Sequence, residues 1–331
     1  MRDSDIDDLA ARLKAGERRA LARSITLIES TRADHRLAAK ALLKRVYADG
    51  SVARRVGLSG TPGVGKSSFI EALGMRLVAE GLRLAVLAVD PSSARSGGSI
   101  LGDKTRMERL SRAPGAFIRP SPAGRELGGV ARRSREVITL CEAAGFDVVL
   151  VETVGVGQSE TLVAEMTDVF VLLIAPAGGD ELQGVKRGIM EVADLLVVNK
   201  ADGALKPVAE ATRADYAGAF KLLRRRPGDP EGFPAAMTAS AVTGDGLEAV
   251  WERIVALDDW RRESGWHAER RAAQNVRWLQ SALERGLVDH LRADPGVAAE
   301  LTRIEAAVTR GERPPEEAAE AVLHALFRDK G

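Results

Sequence analysis

The chain has 331 residues, 45% of them hydrophobic, which is long enough for one large α/β domain with helical additions. Its 48 Lys and Arg nearly balance its 47 Asp and Glu, so the formal charge of +1 disfavours nucleic acid and anionic membranes as partners. The single cysteine, Cys141, cannot form an intrachain disulfide, and the four histidines show no metal-ligand spacing.

The beginning of the chain is charged and acidic, and it lacks the apolar core of a secretory signal. No run approaches the roughly 18 apolar residues of a membrane span. A cytoplasmic protein is therefore expected. Apolar residues recur with helical spacing from about residue 5 to 48, and Gly16 and residues 33–34 are the expected breaks.

Short β-branched runs alternate with helical segments over residues 54–257. Several of these runs are apolar throughout, as in strands that are buried on both faces. This alternation predicts an α/β fold of the P-loop type with a mostly parallel, doubly wound sheet, whose ligands bind at the carboxyl ends of the strands. The predicted strands are 55–59, 84–90, 116–119, 147–152, 169–175, 195–199 and 235–239.

Helical spacing returns after about residue 262, with turns expected at residues 295–296 and 314–315. A helical tail that carries no catalytic or ligand-binding motif more often serves oligomerisation or docking than catalysis. We therefore predict an N-terminal helical segment (1–50), a central nucleotide-binding domain (51–260) and a C-terminal helical extension (261–331).

Residues 60–67 read GTPGVGKS and match the phosphate-binding pattern G-x-x-x-x-G-K-[ST], which begins at Gly60. The motif lies between a strand-like run and an amphipathic run, which is the context that it requires. Glycines let successive backbone N–H groups point at the phosphates. Lys66 is expected to reach the β and γ oxygens, and the Ser67 hydroxyl is expected to bind Mg²⁺.

Asn199, Lys200 and Asp202 belong to an N-K-A-D tetrapeptide that follows the apolar run DLLVV and matches the guanine-reading N-K-x-D of P-loop GTPases. A carboxylate there accepts two hydrogen bonds from guanine, from a donor pair that adenine lacks. Ser240 and Ala241 follow the next predicted strand, where GTPases place a backbone N–H against guanine O6. The tetrapeptide alone fits a plain loop equally well, but its order and distance after the phosphate motif favour guanine.

Glu152 ends the apolar run 147–152, and Gly155 follows it where GTPases carry D-x-x-G. Glu152 is expected to contact Mg²⁺ directly or through water, and the Gly155 N–H to sense the γ-phosphate. The alternative is an acid that only caps the next turn. Asp90 and Asp103 are further candidates for the Mg²⁺ shell or for positioning water, with a turn residue or helix cap as the alternative for each.

Three stretches without periodicity are candidate switch segments. Residues 91–103 and 120–129 are predicted to be loops of the kind that a γ-phosphate orders. Residues 178–188 are either a solvated helix start or a third loop that meets nucleotide or partner. A Ras-like enzyme has a water-orienting Gln directly after the equivalent D-x-x-G motif, but here Gln158 comes three residues after ETVG. Catalysis is therefore assigned to Lys186, Asp103 or a partner.

The blocks LSGTPGVGKSS, AVDPSSARSGGSILGDKTRM, CEAAGFDVVLVETVGVGQSE and VVNKAD closely resemble the MeaB/ArgK family of P-loop GTPases, a class that also includes the GTPases that mature hydrogenase and urease. The resemblance covers about residues 5 to 330. It implies hydrolysis of GTP to GDP and phosphate, and typical members are chaperones of adenosylcobalamin-dependent acyl-CoA mutases, above all methylmalonyl-CoA mutase. By resemblance, the protein gates cofactor loading and protects or reactivates such a mutase.

Residue by residue, the resemblance implies a base site at Asn199, Lys200 and Asp202, and it makes 178–188 the loop that couples hydrolysis to the mutase. It implies Mg²⁺ contacts from Ser67, Asp90, Asp103 and Glu152. Family members are homodimers joined through their C-terminal helices, so a homodimer is expected. The implied phosphate contacts are Gly63, Val64, Gly65, Lys66, Ser67 and Ser68.

Two other functions are alternatives. A GTPase for metal-centre assembly needs a Cys/His ligand set, and the sequence has neither a C-x-x-C pair nor a His-rich tract. A kinase that passes phosphate to a small molecule or transport protein is a role attached to the ArgK name, and N-K-A-D argues for guanine over the adenine of most kinases. The sequence does not identify which acyl-CoA mutase is the client.

Overall fold

The computed structural model describes residues 1–47, 53–89, 107–120, 127–153, 159–176, 187–222, 226, 229–293 and 295–328. The strands found there are β1 (Arg54–Gly60), β2 (Leu84–Val89), β3 (Ala116–Arg119), β4 (Val148–Thr153), β5 (Val169–Ile174), β6 (Leu195–Val198) and β7 (Ala235–Thr238). They form one parallel sheet in the order β3-β2-β4-β1-β5-β6-β7.

The helices of the described residues alternate with the strands along the chain, and further helices precede β1 and follow β7. In chain order they are α1 (Asp3–Lys14), α2 (Arg18–Glu29), α3 (Ala33–Val46), α4 (Lys66–Ala79), α5 (Glu108–Arg112), α6 (Leu127–Ala143), α7 (Ser159–Ala164), α8 (Arg187–Val192), a 3₁₀ turn (Gly203–Leu205), α9 (Lys206–Leu222), α10 (Leu247–Glu263), α11 (Trp266–Ala293), α12 (Pro295–Thr309) and α13 (Pro315–Arg328).

The predicted α/β fold with a doubly wound parallel sheet is confirmed. Every predicted strand is present, with ends shifted by one residue at most, because β2, β4, β5 and β6 are buried along their whole length and their apolar runs mark them plainly. One face packs on α4, α5 and α10, with Phe69, Leu110 and Ile254 in its core. Helices α6, α7 and α9 contact the strands from the other face.

The N-terminal segment forms α1, α2 and α3, which pack on one another and on α6. The break expected at Gly16 is confirmed, and this glycine has a φ of 77°. The break expected at residues 33–34 is wrong. The chain is extended at Arg32 (ψ 137°), and α3 already begins at Ala33, with the Asp34 carboxylate in its first turn, where the helix dipole favours it.

The loop expected over 120–129 is wrong for residues 127–129, since α6 begins at Leu127, and residues 121–126 lie outside the described residues. The helical tail is confirmed as α11, α12 and α13, and Pro295 and Pro315 each occupy a first helical position, where a missing N–H costs nothing. None of the helices in the described part of the chain is long and apolar enough to span a bilayer.

Contacts divide the chain into two compact units, Met1–Arg271 and Ala272–Gly331. The first contains the sheet. In the second, α12 and α13 pack through a small core of Ile304, Ala318 and Val322. The three-segment division predicted from the sequence stays a prediction.

Candidate nucleotide-binding site

The turn between β1 and α4 requires glycine because other chain segments approach it closely. A Cβ on Gly60 would lie 2.4 Å from the carbonyl oxygen of Leu173, and one on Gly65 would lie 2.8 Å from Nδ2 of Asn199. Gly65 also has a φ of 90° and is the N-cap of α4. Residues 60–65 therefore place backbone N–H groups and a helix N-terminus at the carboxyl edge of the sheet, where anions bind favourably.

Lys66 begins α4 and turns its ammonium group back over this loop. Its Nζ donates hydrogen bonds to the carbonyl oxygens of Gly60 (2.6 Å) and Thr61 (3.3 Å). Burial lowers the pKa of the Lys66 ammonium, while the negative charges of Glu152 and Glu160 oppose that shift. Ser67 and Ser68 follow in the first turn of α4, the former partly buried and the latter exposed.

The segments after β6 and β7 are bonded to each other at the same edge. The Ala201 N–H donates to the carbonyl of Ala239 (3.0 Å), and the Ser240 hydroxyl donates to the carboxylate of Asp202. The Ala241 N–H donates to Oδ1 of Asn199 (3.3 Å). The predicted base-reading residues thus lie together although about 40 residues separate the two segments.

Asn199 and Lys200 also connect the base-reading segment to the phosphate loop. The Asn199 amide donates to the carbonyl of Val64 (2.9 Å), and the Lys200 ammonium donates to the carbonyl of Gly63 (2.7 Å). Lys200 has a φ of 60°, a left-handed conformation that is unusual for a residue other than glycine. Both side chains therefore link residues 199–200 to the main chain of the predicted phosphate loop.

Glu152 lies at the end of β4 on the same side of the sheet as Lys66. It is paired in register with Leu58 of β1, and paired residues point to one face of a sheet. Leu58 packs in the core that contains Phe69 of α4. The Glu152 side chain is 4% exposed, so a buried carboxylate oxygen lies on the α4 side of the sheet.

Sequence reasoning did not single out Glu160, a buried acid in α7 whose charge also acts on Lys66. Its only sequence signal is an acid directly after the ETVGVGQS block. Four predicted site residues, Asp90, Asp103, Gly155 and Lys186, lie outside the described residues, as does most of the 178–188 segment.

A second polar cluster lies at the amino edge of the sheet, opposite the phosphate loop. Asp168, Asp258 and His267 bring potential ligand atoms within 4.8 Å of one another, a proximity that the sequence spacing of the histidines did not reveal. The acids are already ion-paired, since Arg271 bonds Asp168 (2.6 Å) and Arg54 bonds Asp258 (2.5 Å). We interpret the cluster as a network of ion pairs and not as a metal centre.

A parallel doubly wound sheet, a glycine-rich loop before a helix and a lysine at that helix start define the class of P-loop nucleotide hydrolases. The family model described as methylmalonyl Co-A mutase-associated GTPase MeaB matches residues 21–296. The chain belongs to this family and is a P-loop GTPase.

Relatives across much of the chain agree with this assignment. The GTPase ArgK of Escherichia coli is 48% identical over 86% of this chain and 85% of its own length. The methylmalonic aciduria type A homolog, mitochondrial, of Mus musculus is 46% identical over 97% of this chain and 79% of its own. A crystal structure of a LAO/AO transport system kinase is 36% identical, with a TM-score of 0.76 over 99% of both chains.

Proposed function

We propose that this GTPase is a switch that gates the loading of adenosylcobalamin into an acyl-CoA mutase of the methylmalonyl-CoA mutase type, and that it protects or reactivates that mutase. The observation that carries the proposal is membership of a family described as associated with methylmalonyl Co-A mutase. The bonded arrangement of phosphate and base segments at one sheet edge supports a switch that reads GTP.

In this proposal the phosphate loop and Lys66 hold the phosphates, and Asn199, Lys200 and Asp202 hold the base with help from Ser240 and Ala241. The carboxylate of Asp202 is oriented by the Ser240 hydroxyl. The Gly155 N–H is proposed to sense the γ-phosphate. Lys186 and Asp103 are proposed to act on the attacking water, and the 178–188 segment is proposed to couple hydrolysis to the mutase.

The described oxygen donors suit Mg²⁺, which prefers carboxylate and hydroxyl ligands. Ser67 stands in the first turn of α4, and Glu152 offers a buried carboxylate on the α4 side of the sheet. Asp90 and Asp103 are the other proposed ligands. When bound, Mg²⁺ would neutralise charge on the phosphates, while Lys66 binds their oxygens and the loop N–H groups orient them.

The switch is tested by measuring GTP hydrolysis by the purified protein with and without candidate acyl-CoA mutases and adenosylcobalamin. Stimulation by one mutase, about tenfold or more, would establish the switch and identify its client. Guanine-specific hydrolysis that no mutase changes would leave the GTPase and contradict the chaperone assignment.

Replacement of Lys66 by Ala is expected to lower GTP hydrolysis by about 10²- to 10³-fold, because a preorganised cation facing the developing phosphate charge is lost. The measurement is phosphate release at saturating GTP. Lys221→Ala, an exposed lysine at the end of α9, is the matched control and should retain the wild-type rate. Equal rates in all three proteins would remove Lys66 from the site.

Transfer of the γ-phosphate to a protein is the second candidate, since a crystallised relative bears the name of a transport system kinase. Incubation with GTP labelled at the γ-phosphate separates the two functions. Label released as phosphate supports the switch, and label retained on an acceptor protein supports the kinase.

A homodimer through the C-terminal helices is part of the proposal. Val276, Leu279, Leu283 and Leu287 recur at helical spacing along α11 and are 55–65% exposed. Side chains so spaced form one apolar stripe, which is unusual on a solvent face. A symmetric dimer would bury this stripe against its copy, so each substitution acts twice.

Leu283→Glu is accordingly expected to convert the dimer into a monomer at micromolar concentration, since burial of each leucine contributes about 1.5–3 kcal/mol. Light scattering coupled to size exclusion measures the mass. Arg277→Glu, on α11 but off the stripe, is the control and should stay dimeric. A wild-type protein that is already monomeric would refute this part of the proposal.

A further inference from the structure

Two buried hydroxyl groups meet where β1 and β4 end. The Oγ of Ser59 lies 2.8 Å from Oγ1 of Thr153, and the two residues are 1% and 0% exposed. Ser59 directly precedes the phosphate loop at Gly60. Thr153 directly follows Glu152 and is the last described residue before 154–158. The pair therefore joins the ends of β1 and β4, one directly before the phosphate loop and the other at the last described residue of the ETVG block.

The hydroxyl pair lies on the opposite face of the sheet from the Glu152 carboxylate. Successive side chains of a strand alternate between faces, so Thr153 points away from α4 if Glu152 points toward it. The register of β1 and β4 places Leu58 beside Glu152. Strand β4 also pairs with β2, and there Thr153 is in register with Val89. The bond between Ser59 and Thr153 thus links β1 to β4 on the face opposite the Glu152 carboxylate.

Stability alone does not explain two hydroxyls at this position. The β4 residues before Glu152, Val148 to Val151, are apolar and buried. Replacing both partners of a buried hydrogen bond by apolar groups of the same shape can be neutral or stabilising. A directional bond between strand ends instead fixes their relative position.

We propose that Ser59 and Thr153 are positioning residues that hold Glu152 at the right distance from Ser67 and the phosphate loop for Mg²⁺ binding. The inference rests on the proposed role of Glu152 as an Mg²⁺ ligand. Removal of residues that orient a metal ligand commonly lowers metal affinity or activity by about 10- to 100-fold.

The test compares wild type with Thr153→Val, Thr153→Ser, Ser59→Ala and the Ser59→Ala/Thr153→Val double variant. The Mg²⁺ concentration that slows release of a fluorescent GDP analogue by half is measured first, and kcat and KM for GTP second. Thr153→Val should raise that Mg²⁺ concentration about tenfold and lower kcat by a similar factor. KM for GTP should change less than about twofold, since Lys66 and the base segment stay in place.

Rescue and coupling distinguish positioning from simple stability. Thr153→Ser keeps the hydroxyl and should behave like wild type, and the double variant should be no worse than the poorer single variant, as for partners of one bond. Thr167→Val is the matched control, because its hydroxyl is also fully buried and bonded (2.8 Å to the carbonyl of Val163) but lies before β5 at the other edge. It should lose stability without a change in Mg²⁺ dependence.

A Glu152→Gln variant separates the two hypotheses. Loss of Mg²⁺ dependence in Glu152→Gln, with wild-type Mg²⁺ dependence in Thr153→Val, would overturn the positioning role and leave the proposed metal site. Unchanged Mg²⁺ dependence in Glu152→Gln would overturn both. Equal losses in Thr153→Val and Thr167→Val would also count against positioning.

Discussion

Replacing Asp202 with Asn is expected to weaken GTP binding by about 10²- to 10⁴-fold and to shift preference toward xanthosine triphosphate. A carboxylate that accepts from the N1–H and the 2-amino group of guanine makes two charge-assisted bonds, each about 1.5–3 kcal/mol. Xanthine carries an oxygen in place of that amino group, and the Asn amide N–H can donate to it. In the Asp202→Asn protein, xanthine should therefore find all of its hydrogen-bond partners, and guanine should leave polar groups unpaired.

Competition of GTP and xanthosine triphosphate against a fluorescent GDP analogue measures this exchange. The Asn side chain keeps an oxygen that can accept from Ser240, so the bond that orients Asp202 survives in the variant. Asp215→Asn, an exposed acid on α9, is the control and should leave both affinities unchanged. An Asp202→Asn protein with wild-type GTP affinity would show that guanine is read elsewhere.

Replacing Arg261 with Met is expected to lower the free energy of unfolding by about 3–5 kcal/mol, the usual effect of removing one member of a buried ion-pair group. The guanidinium is fully buried and donates to Asp194 (2.6 Å), Asp229 (2.7 Å) and the carbonyl of Asp168 (2.6 Å). It also stacks 4.5 Å from the ring of Trp266. Arg226 bonds Asp194 and Asp229 as well, but it cannot replace every bond that is lost.

Urea unfolding measures the loss, and the pH dependence of that unfolding identifies its cause. Burial alone would raise the pKa of Asp194, but Arg261 and Arg226 outweigh it and hold this pKa below its ordinary value. The ion pairs therefore stabilise the fold above the pKa of an unfolded Asp, and this contribution is lost as pH falls through the folded pKa. The Arg261→Met protein should show a weaker fall in stability over that acid range.

An exposed pair provides the comparison for Arg261. Arg213 contacts Glu210 at 2.9 Å, and both side chains are more than a third exposed (38% and 47%). Arg213→Met should change stability by less than about 1 kcal/mol. If Arg261→Met and Arg213→Met lowered the free energy of unfolding by similar amounts, burial would not explain the contribution of Arg261 to stability.

Strands β2, β4, β5 and β6 were predictable because their apolar runs are buried on both faces, so composition alone marks them. The order of the strands was not, since nothing in the runs of β1 and β4 says that they are neighbours. The start of α3 was misplaced because residues 33–34 carry an Ala and an Asp that suit both a turn and a helix start. Asp168 and Asp194 look like ordinary turn residues, and only the fold brings Arg261 and Arg271 to them.

The phosphate loop and the base segment were predicted from residue types at fixed spacing, and their roles stay predictions. Their mutual bonds were not predictable, because Asn199 and Lys200 reach main-chain carbonyls, which no side-chain pattern encodes. The bond between Ser59 and Thr153 was not predictable for a related reason. Single hydroxyls at strand ends are common, and only the register shows that these two meet.

The bonds from Asn199 and Lys200 to the phosphate loop have a consequence for ligand design. At the proposed base site, a compound that imitates guanine alone would bind beside side chains that are bonded to the proposed phosphate loop. Guanosine and pyrophosphate would accordingly not behave as independent fragments, and the affinity of a linked inhibitor would differ from the sum of its parts. A screen run with pyrophosphate present would sample a different binding surface from one run without it.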